Sequence, residues 1–272
     1  MIKYQNESVT KEEYKEIIYG NIKIDFYDLN CFPRFVNDLP NNLNYREHIY
    51  EERKLHLHKG QYKLYLSELD FLTDYVNFNY IVIYVGAAPG HHINELYDKF
   101  KQFNLEYHLY DVNYFDSNLQ LKKNIKIFNE YFTNDHCEKY KNNNVLFISD
   151  IRKIEDMSTI ETDVSIDMKY QMDWVLAIKP IASMLKFRLP YSSDKIVNYL
   201  DGDLRIQAYA PNSTTESRLV SVYPYKIKQY NPKELEDRMF YLNKIIRYWY
   251  HYDNLLEEYI INKYNKYIIQ QI

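Results

Sequence analysis

With 272 residues, 46% hydrophobic and 26% charged, the chain is long enough to bury the core of one large domain or two small ones, and its formal net charge of −4 excludes a polycation that coats nucleic acid indiscriminately. Its two cysteines, Cys31 and Cys137, exclude a disulfide framework and a four-thiolate zinc site, and point to a reducing compartment. No stretch approaches the ~18 apolar residues of a membrane span and the first residues are polar and mixed in charge, so a cytoplasmic protein with no membrane contact is expected.

Residues 1–58 are polar, with turn signals at Phe32-Pro33 and Leu39-Pro40-Asn41-Asn42, and read as an N-terminal arm lying on a main domain of residues 59–272. From Gly60 the pattern changes: Tyr62, Leu66, Leu69, Leu72 and Val76 recur at three to four residues, which predicts a helix with Lys63 in its first turn. A cation there opposes the helix dipole by up to about 1 kcal/mol, so the position invites a functional reason. A solvent-facing lysine is the plain alternative.

The apolar run from Ile81 to Val85 ends abruptly in Gly86-Ala87-Ala88-Pro89-Gly90, and a helical pattern follows over 93–103. A buried strand, a glycine-rich turn and a helix are how a nucleotide-type ligand is seated at the carboxyl edge of a parallel sheet. Further strands are predicted at 105–111, 125–129 and 145–149, with a helix over 134–141. Alternating strands and helices argue for an α/β fold with a mainly parallel sheet. Asp111 ends the second strand about 20 residues beyond the glycine turn, where a carboxylate accepts hydrogen bonds from ribose hydroxyls. Asp150 ends a later strand, so both carboxylates should face one crevice.

Beyond it a helix is predicted over 162–178, strands at 183–188, 204–209 and 217–223, and a long helix over 234–250. Strands that follow each other without helices imply that the sheet ends in antiparallel pairing. Between Val175 and Tyr250 the chain carries twelve Lys or Arg against seven Asp or Glu, an excess that could form a phosphate track or a solvated surface.

Four ionisable residues stand out by position: Lys63, Asp150, Lys186 and Glu216. Lys186 lies inside the apolar strand ASMLKF, where it must snorkel or meet partners, because an unpaired buried ammonium costs several kcal/mol. A lysine held neutral can act as a general base.

The order Lys–Asp–Lys–Glu around a glycine-rich loop resembles the tetrad of ribose 2′-O-methyltransferases. The likeness extends through GQYKLYLSEL at 60–69, YVGAAPGHHI at 84–93, LFISDIR at 146–152 and PIASMLKFR at 180–188, then through Ala210-Pro211 to Glu216-Ser217-Arg218-Leu219, and MFYLNKI at 239–245. In these segments the chain resembles the poxvirus cap-specific mRNA 2′-O-methyltransferases, which double as the small stimulatory subunit of the viral poly(A) polymerase.

The resemblance implies a Rossmann-like methyltransferase sheet, mostly parallel with antiparallel end strands and helices on both faces. It implies S-adenosylmethionine as methyl donor, with S-adenosylhomocysteine as product and no metal. Gln61, Tyr84, Gly86, Pro89, Gly90, Asp111 and Asp150 would hold it, with Tyr131 and Phe132 near the adenine. Lys186 would activate the 2′-hydroxyl of the first transcribed nucleotide, with Lys63, Asp150 and Glu216 arranging charge around it. Tyr45 and Tyr191 would stack on the 7-methylguanine cap, Glu236 and Asp194 would meet its donor edge, and Arg188 and Arg218 would meet RNA.

The implied partners are capped mRNA and the catalytic subunit of a viral poly(A) polymerase, with a homodimer left open, and the implied setting is host cytoplasm, viral factory or virion. Two departures from the family pattern are Asn113, where a basic residue is usual, and one extra residue before Asp194. The chain ends at Ile272, short of the family's length, which puts in doubt the contacts with transcription machinery that the resemblance assigns to the C-terminal part.

The rivals are few. A nicotinamide dehydrogenase would share the glycine loop and Asp111 but has no use for the tetrad. His56-x-His58 and His91-His92 lack the carboxylate or cysteine neighbours of a metal site and read as loop histidines. Ser149 lacks the Gly-x-Ser-x-Gly elbow of a hydrolase. A rival of another class is a non-catalytic RNA-binding subunit that keeps a poly(A) polymerase on its transcript.

Overall fold

The computed structural model describes residues 33–41, 45, 59–141, 143–152, 159–191, 194–247 and 252–271. Most of the expected N-terminal arm, with Cys31, His56 and His58, lies outside the described residues. Strands are β1 (Ile81–Val85), β2 (Glu106–Tyr110), β3 (Ile125–Phe128), β4 (Val145–Ser149), β5 (Ala182–Phe187), β6 (Val197–Leu200), β7 (Asp203–Arg205), β8 (Ser217–Val222) and β9 (Ile227–Tyr230). Helices are α1 (Gly60–Tyr75), α2 (Ile93–Lys99), α3 (Asn134–Tyr140), α4 (Ile160–Ile178), α5 (Pro232–Tyr241) and α6 (Tyr252–Gln271).

Seven strands form one sheet in the order β3-β2-β1-β4-β5-β8-β7. Strands β3, β2, β1, β4 and β5 run parallel, and the near-continuous apolar runs of β1 and β4 fit burial on both faces. β8 and β7 close the sheet in antiparallel pairing. The chain leaves β1 toward β2 and β3, then returns to β4 and moves away through β5, so the strand order reverses between β1 and β4. α3 packs against α4, and α2 against α1. At such a reversal the loops after the two central strands diverge and leave a crevice at their carboxyl ends.

α1 packs against α6, and a charged cluster ties them to the sheet edge: Arg205 of β7 meets Asp70 at 2.6 Å and Asp74 at 2.9 Å, and Lys263 of α6 meets Asp74 at 2.7 Å. The described part of the N-terminal segment also lies on this edge, where Phe35 bridges Arg205 and Val36 and Leu39 are buried.

Three elements differ from expectation. The strand expected over 204–209 stops at Arg205, because Tyr209 adopts a left-handed φ of 56° and its N–H turns to Asp253 Oδ1 at 2.9 Å. β6 and β9 form a separate two-stranded sheet. The long C-terminal helix is broken by a π-helical turn over Leu242–Ile246.

Candidate active site

Two glycines shape the loop after β1. Gly86 has φ of 79°, and a Cβ there would stand 3.0 Å from the backbone carbon of Asp150 and the nitrogen of Ile151. The Asp150 N–H in turn donates to Val85 O at 2.9 Å, so the loop and the end of β4 lie against one another. Gly90 has φ of 72°, and its missing side chain makes room for Leu119 and Ile93. Pro89 is exposed at the tip between them. Asp111, at the end of β2, accepts from Ala88 N at 3.1 Å and from Asn113 N and Nδ2, each at 2.9 Å. Asn113, which departs from the family's basic residue at this position, buttresses this carboxylate.

The four residues singled out in sequence converge. Lys63, on the first turn of α1, donates to Glu216 Oε1 at 2.9 Å. Lys186, near the end of β5, lies 3.2 Å from Asp150 Oδ1 and 3.6 Å from Glu216 Oε2. Arg218 completes the group at 2.7 Å from Asp150 Oδ1, and its Nε donates to Gln207 Oε1 at 2.9 Å. Gln207 in turn donates to Glu216 Oε1 at 3.2 Å. Three cations and two carboxylates thus share one pocket floor at the carboxyl edge of the sheet, leaving one positive charge in excess.

Burial opposes the charge of both carboxylates, yet Arg218 and Lys186 outweigh it at Asp150, and Lys186 and Lys63 outweigh it at Glu216, so both are held below the ordinary carboxylate range. Burial also holds the Lys63 ammonium below the ordinary lysine value, with Glu216 pulling the other way. Arg218 is raised despite its burial by Asp150 and Glu216.

Arg218, expected on RNA, is 2% exposed and underlies the cluster, because it faces Lys186 across the β5–β8 pair. Tyr84, expected against the methyl donor, is 2% exposed, and its hydroxyl donates to Glu68 Oε1 at 2.8 Å. His92, expected in the loop, is buried between Glu68 and Gln61, whereas His91 is exposed beside Asp116. Tyr131 is exposed, while Phe132 is buried edge-on against Trp174 and Tyr110.

Around the expected cap pocket, Arg188 lies 4.1 Å over the Tyr191 ring and 2.9 Å from Glu161. The Tyr191 N–H donates to Glu161 Oε2 at 2.8 Å. The Tyr45 N–H donates to Asp237 Oδ1 at 2.7 Å and its ring meets Phe240 edge-on, which brings Tyr45 to the helix that carries Glu236. Asp194 is exposed.

Part of the basic segment is internal. Arg188, Arg218, Lys244 and Arg247 turn inward, and the exposed remainder includes Lys179, Lys195, Lys226, Lys228 and Lys233. Arg247 donates to Ala210 O at 2.6 Å and Gln207 O at 2.5 Å, and Asn243 donates to Thr214 O at 2.9 Å. The π-helical turn and its exit therefore hold the loop that presents Glu216. Sequence reading missed Gln207, Asn243 and Arg247, for which spacing gives no signal.

Residues 32–272 match the family model described as poly A polymerase regulatory subunit. A cap-specific mRNA (nucleoside-2′-O-)-methyltransferase of fowlpox virus (strain NVSL) is 32% identical over 234 residues, covering 78% of this chain and 76% of that protein. The protein of the same name from myxoma virus (strain Lausanne) is 30% identical over 233 residues, covering 78% and 69%. Among solved structures, bluetongue virus VP4, described as a multifunctional RNA-capping production line, superposes with a TM-score of 0.51 at 14% identity. That match covers 75% of this chain but 37% of VP4, and it is a likeness of fold. The glycine loop, the four-residue cluster and the reversed strand order thus sit in a chain that belongs to the poly A polymerase regulatory subunit family.

Proposed function

We propose that the chain transfers a methyl group from S-adenosylmethionine to the ribose 2′-oxygen of the first transcribed nucleotide of 7-methylguanosine-capped mRNA. The observation that carries this reading is the cluster of Lys63, Asp150, Lys186 and Glu216 at the mouth of the β1–β4 crevice. The names of the fowlpox and myxoma relatives support the same substrate.

The donor set fits such a cofactor. Asp111 is fixed by the loop, with Oδ1 taken twice by Asn113 and Oδ2 once by Ala88 N, and keeps a lone pair on Oδ2 for a ribose hydroxyl; Gln61 offers a carboxamide at the start of α1, and Gly86 and Gly90 let backbone approach a ligand. When bound, S-adenosylmethionine would supply an electrophilic methyl group.

The protein's own task is to position and deprotonate a weak nucleophile. Lys186 Nζ would accept the proton of the 2′-hydroxyl and so make that oxygen a competent nucleophile. Asp150 and Glu216 hold the lysine in place, and the resulting ammonium is stabilised between them. A cation arriving beside a cluster already one charge positive favours release of one proton from it. Tyr191, with Arg188 covering one face, offers its other face to the cationic cap base.

The family description supports a second role beside a poly(A) polymerase catalytic subunit, and we propose that both belong to one protein working in the cytoplasm. A clamp alone has no need of a lysine aimed at two carboxylates inside an apolar strand. Incubation with radiolabelled S-adenosylmethionine and a short 7-methylguanosine-capped RNA tests the enzyme reading, which predicts label in the RNA. No label would leave the clamp in its place.

A further inference from the structure

A buried polar group of Glu68, Tyr84 and His92 stands behind the glycine loop and touches the chemistry above only through Gln61. His92, the residue before α2, has both ring nitrogens engaged: Nδ1 lies 2.9 Å from Gln61 Oε1, and Nε2 lies 3.0 and 3.1 Å from the two Glu68 oxygens. Tyr84 OH also donates to Glu68 Oε1. Glu68, Tyr84 and His92 are 1%, 2% and 8% exposed, whereas Gln61 is exposed at the crevice.

We infer that His92 is a positioning residue that decides which end of the Gln61 carboxamide faces the methyl donor. This inference rests on the methyl-donor reading. Glu68 is an acceptor, so Nε2 must carry a proton in either state of the ring. The state of Nδ1 then fixes its neighbour. A charged ring donates from Nδ1 to the Gln61 carbonyl, which leaves the amide N–H groups free to point into the crevice. A neutral ring presents a lone pair instead, and Gln61 must turn its amide inward and its carbonyl outward.

The ligand's amino-acid end carries a carboxylate, and the start of the 16-residue helix α1 favours an anion beside Gln61. An outward amide donates to that carboxylate; an outward carbonyl repels it. The charged ring therefore favours binding.

The groups facing His92 come from every neighbouring element: Gln61 and Glu68 of α1, Tyr84 of β1, Asp150 after β4 and Arg218 of β8. Burial pushes the imidazole down, but Glu68 in direct contact outweighs it, with Asp150 adding to the rise and Arg218 opposing it. The charged ring is present below its raised value and is lost as pH climbs through it. Affinity should fall over that same interval.

The test measures S-adenosylhomocysteine affinity by calorimetry from about pH 6 to about pH 9, beside an NMR titration of the His92 ring in the ligand-free chain. The wild type should lose roughly tenfold or more in affinity, the worth of a hydrogen bond to a charged group, with a midpoint at the histidine's own. His92→Gln should bind weakly and without this pH step. Glu68→Gln, which removes the neighbouring charge, should move both midpoints to lower pH. A wild-type affinity flat over this range, or a midpoint apart from that of His92, would overturn the inference alone. No binding at any pH would overturn the methyl-donor reading and the inference with it.

Discussion

Lys186 and Arg218 stand directly opposite one another on β5 and β8, and both direct a cation at the same oxygen, Asp150 Oδ1, at 3.2 and 2.7 Å. The two differ in chemistry. A lysine can give up its proton near neutral pH when its surroundings favour it, and an arginine cannot. One position therefore suits proton transfer, and the other holds the carboxylate charged throughout. Lys186→Ala should abolish methyl transfer while leaving S-adenosylhomocysteine affinity within a few-fold of wild type, and Lys186→Arg should be as inactive. Transfer by Lys186→Arg at more than a few per cent of the wild-type rate would remove the base role.

Arg218 should matter more to stability than to RNA binding. Its replacement by Met leaves Asp150 without its nearest cation and Gln207 without its donor, at a cost on the order of 3 kcal/mol. Urea denaturation should show this loss, larger than that of Lys186→Met. The salt dependence of binding to uncapped RNA should not change, because a buried guanidinium releases no counterion from phosphate. A shallower salt slope in the variant would put Arg218 back on RNA.

Acid should act on the cluster in a defined interval. Asp150 and Glu216 have folded values held below their unfolded ones by the surrounding cations. Their contribution is full above the unfolded values near ~4 and is lost as pH falls through the folded ones. Thermal midpoints of wild type should thus drop more steeply below about pH 4 than those of Asp150→Asn. Parallel curves would contradict this electrostatic account.

Gly86 cannot take a side chain without disturbing Asp150. Its φ of 79° disfavours an L-residue, and the added Cβ would press on the Asp150 and Ile151 backbone at 3.0 Å. Gly86→Ala should cost about 1–3 kcal/mol and lower methyl transfer beyond the loss of folded protein. Retained activity per folded molecule would show that the loop tolerates a shift.

At the cap pocket, Tyr191→Ala should weaken binding of capped RNA about tenfold, the loss of one stacked base, with little effect on uncapped RNA. Tyr191→Phe should spare it, because the hydroxyl accepts only a long bond from Thr215 N at 3.4 Å. Glu236→Ala should likewise weaken capped more than uncapped RNA. Equal losses for both RNAs would take these residues out of the pocket.

The parallel half of the sheet is legible in the sequence because its strands are short apolar runs closed by distinctive residues. Ile81 to Val85 ends at Gly86, and Val145 to Ser149 ends at Asp150. Lys186 declares itself as a charge inside an apolar run. Arg218 does not, since only the β5–β8 register reveals that it stands opposite Lys186. His92 was unreadable for a similar reason: its burial depends on Glu68, 24 positions away on a helix packed against the loop. The hold on Glu216 is less visible still, because Asn243 and Arg247 act on backbone carbonyls of the 207–216 loop, which leave no trace in side-chain pattern.

The central claim is that the pocket beside Lys186 receives a ribose 2′-hydroxyl. The most direct measurement compares methyl transfer to two 7-methylguanosine-capped RNAs that differ only in the sugar of the first transcribed nucleotide, ribose in one and 2′-deoxyribose in the other. The account predicts one methyl group per ribose substrate, located on the 2′-oxygen by nuclease digestion, and none on the deoxy substrate. Equal methylation of both, or of neither, would contradict it.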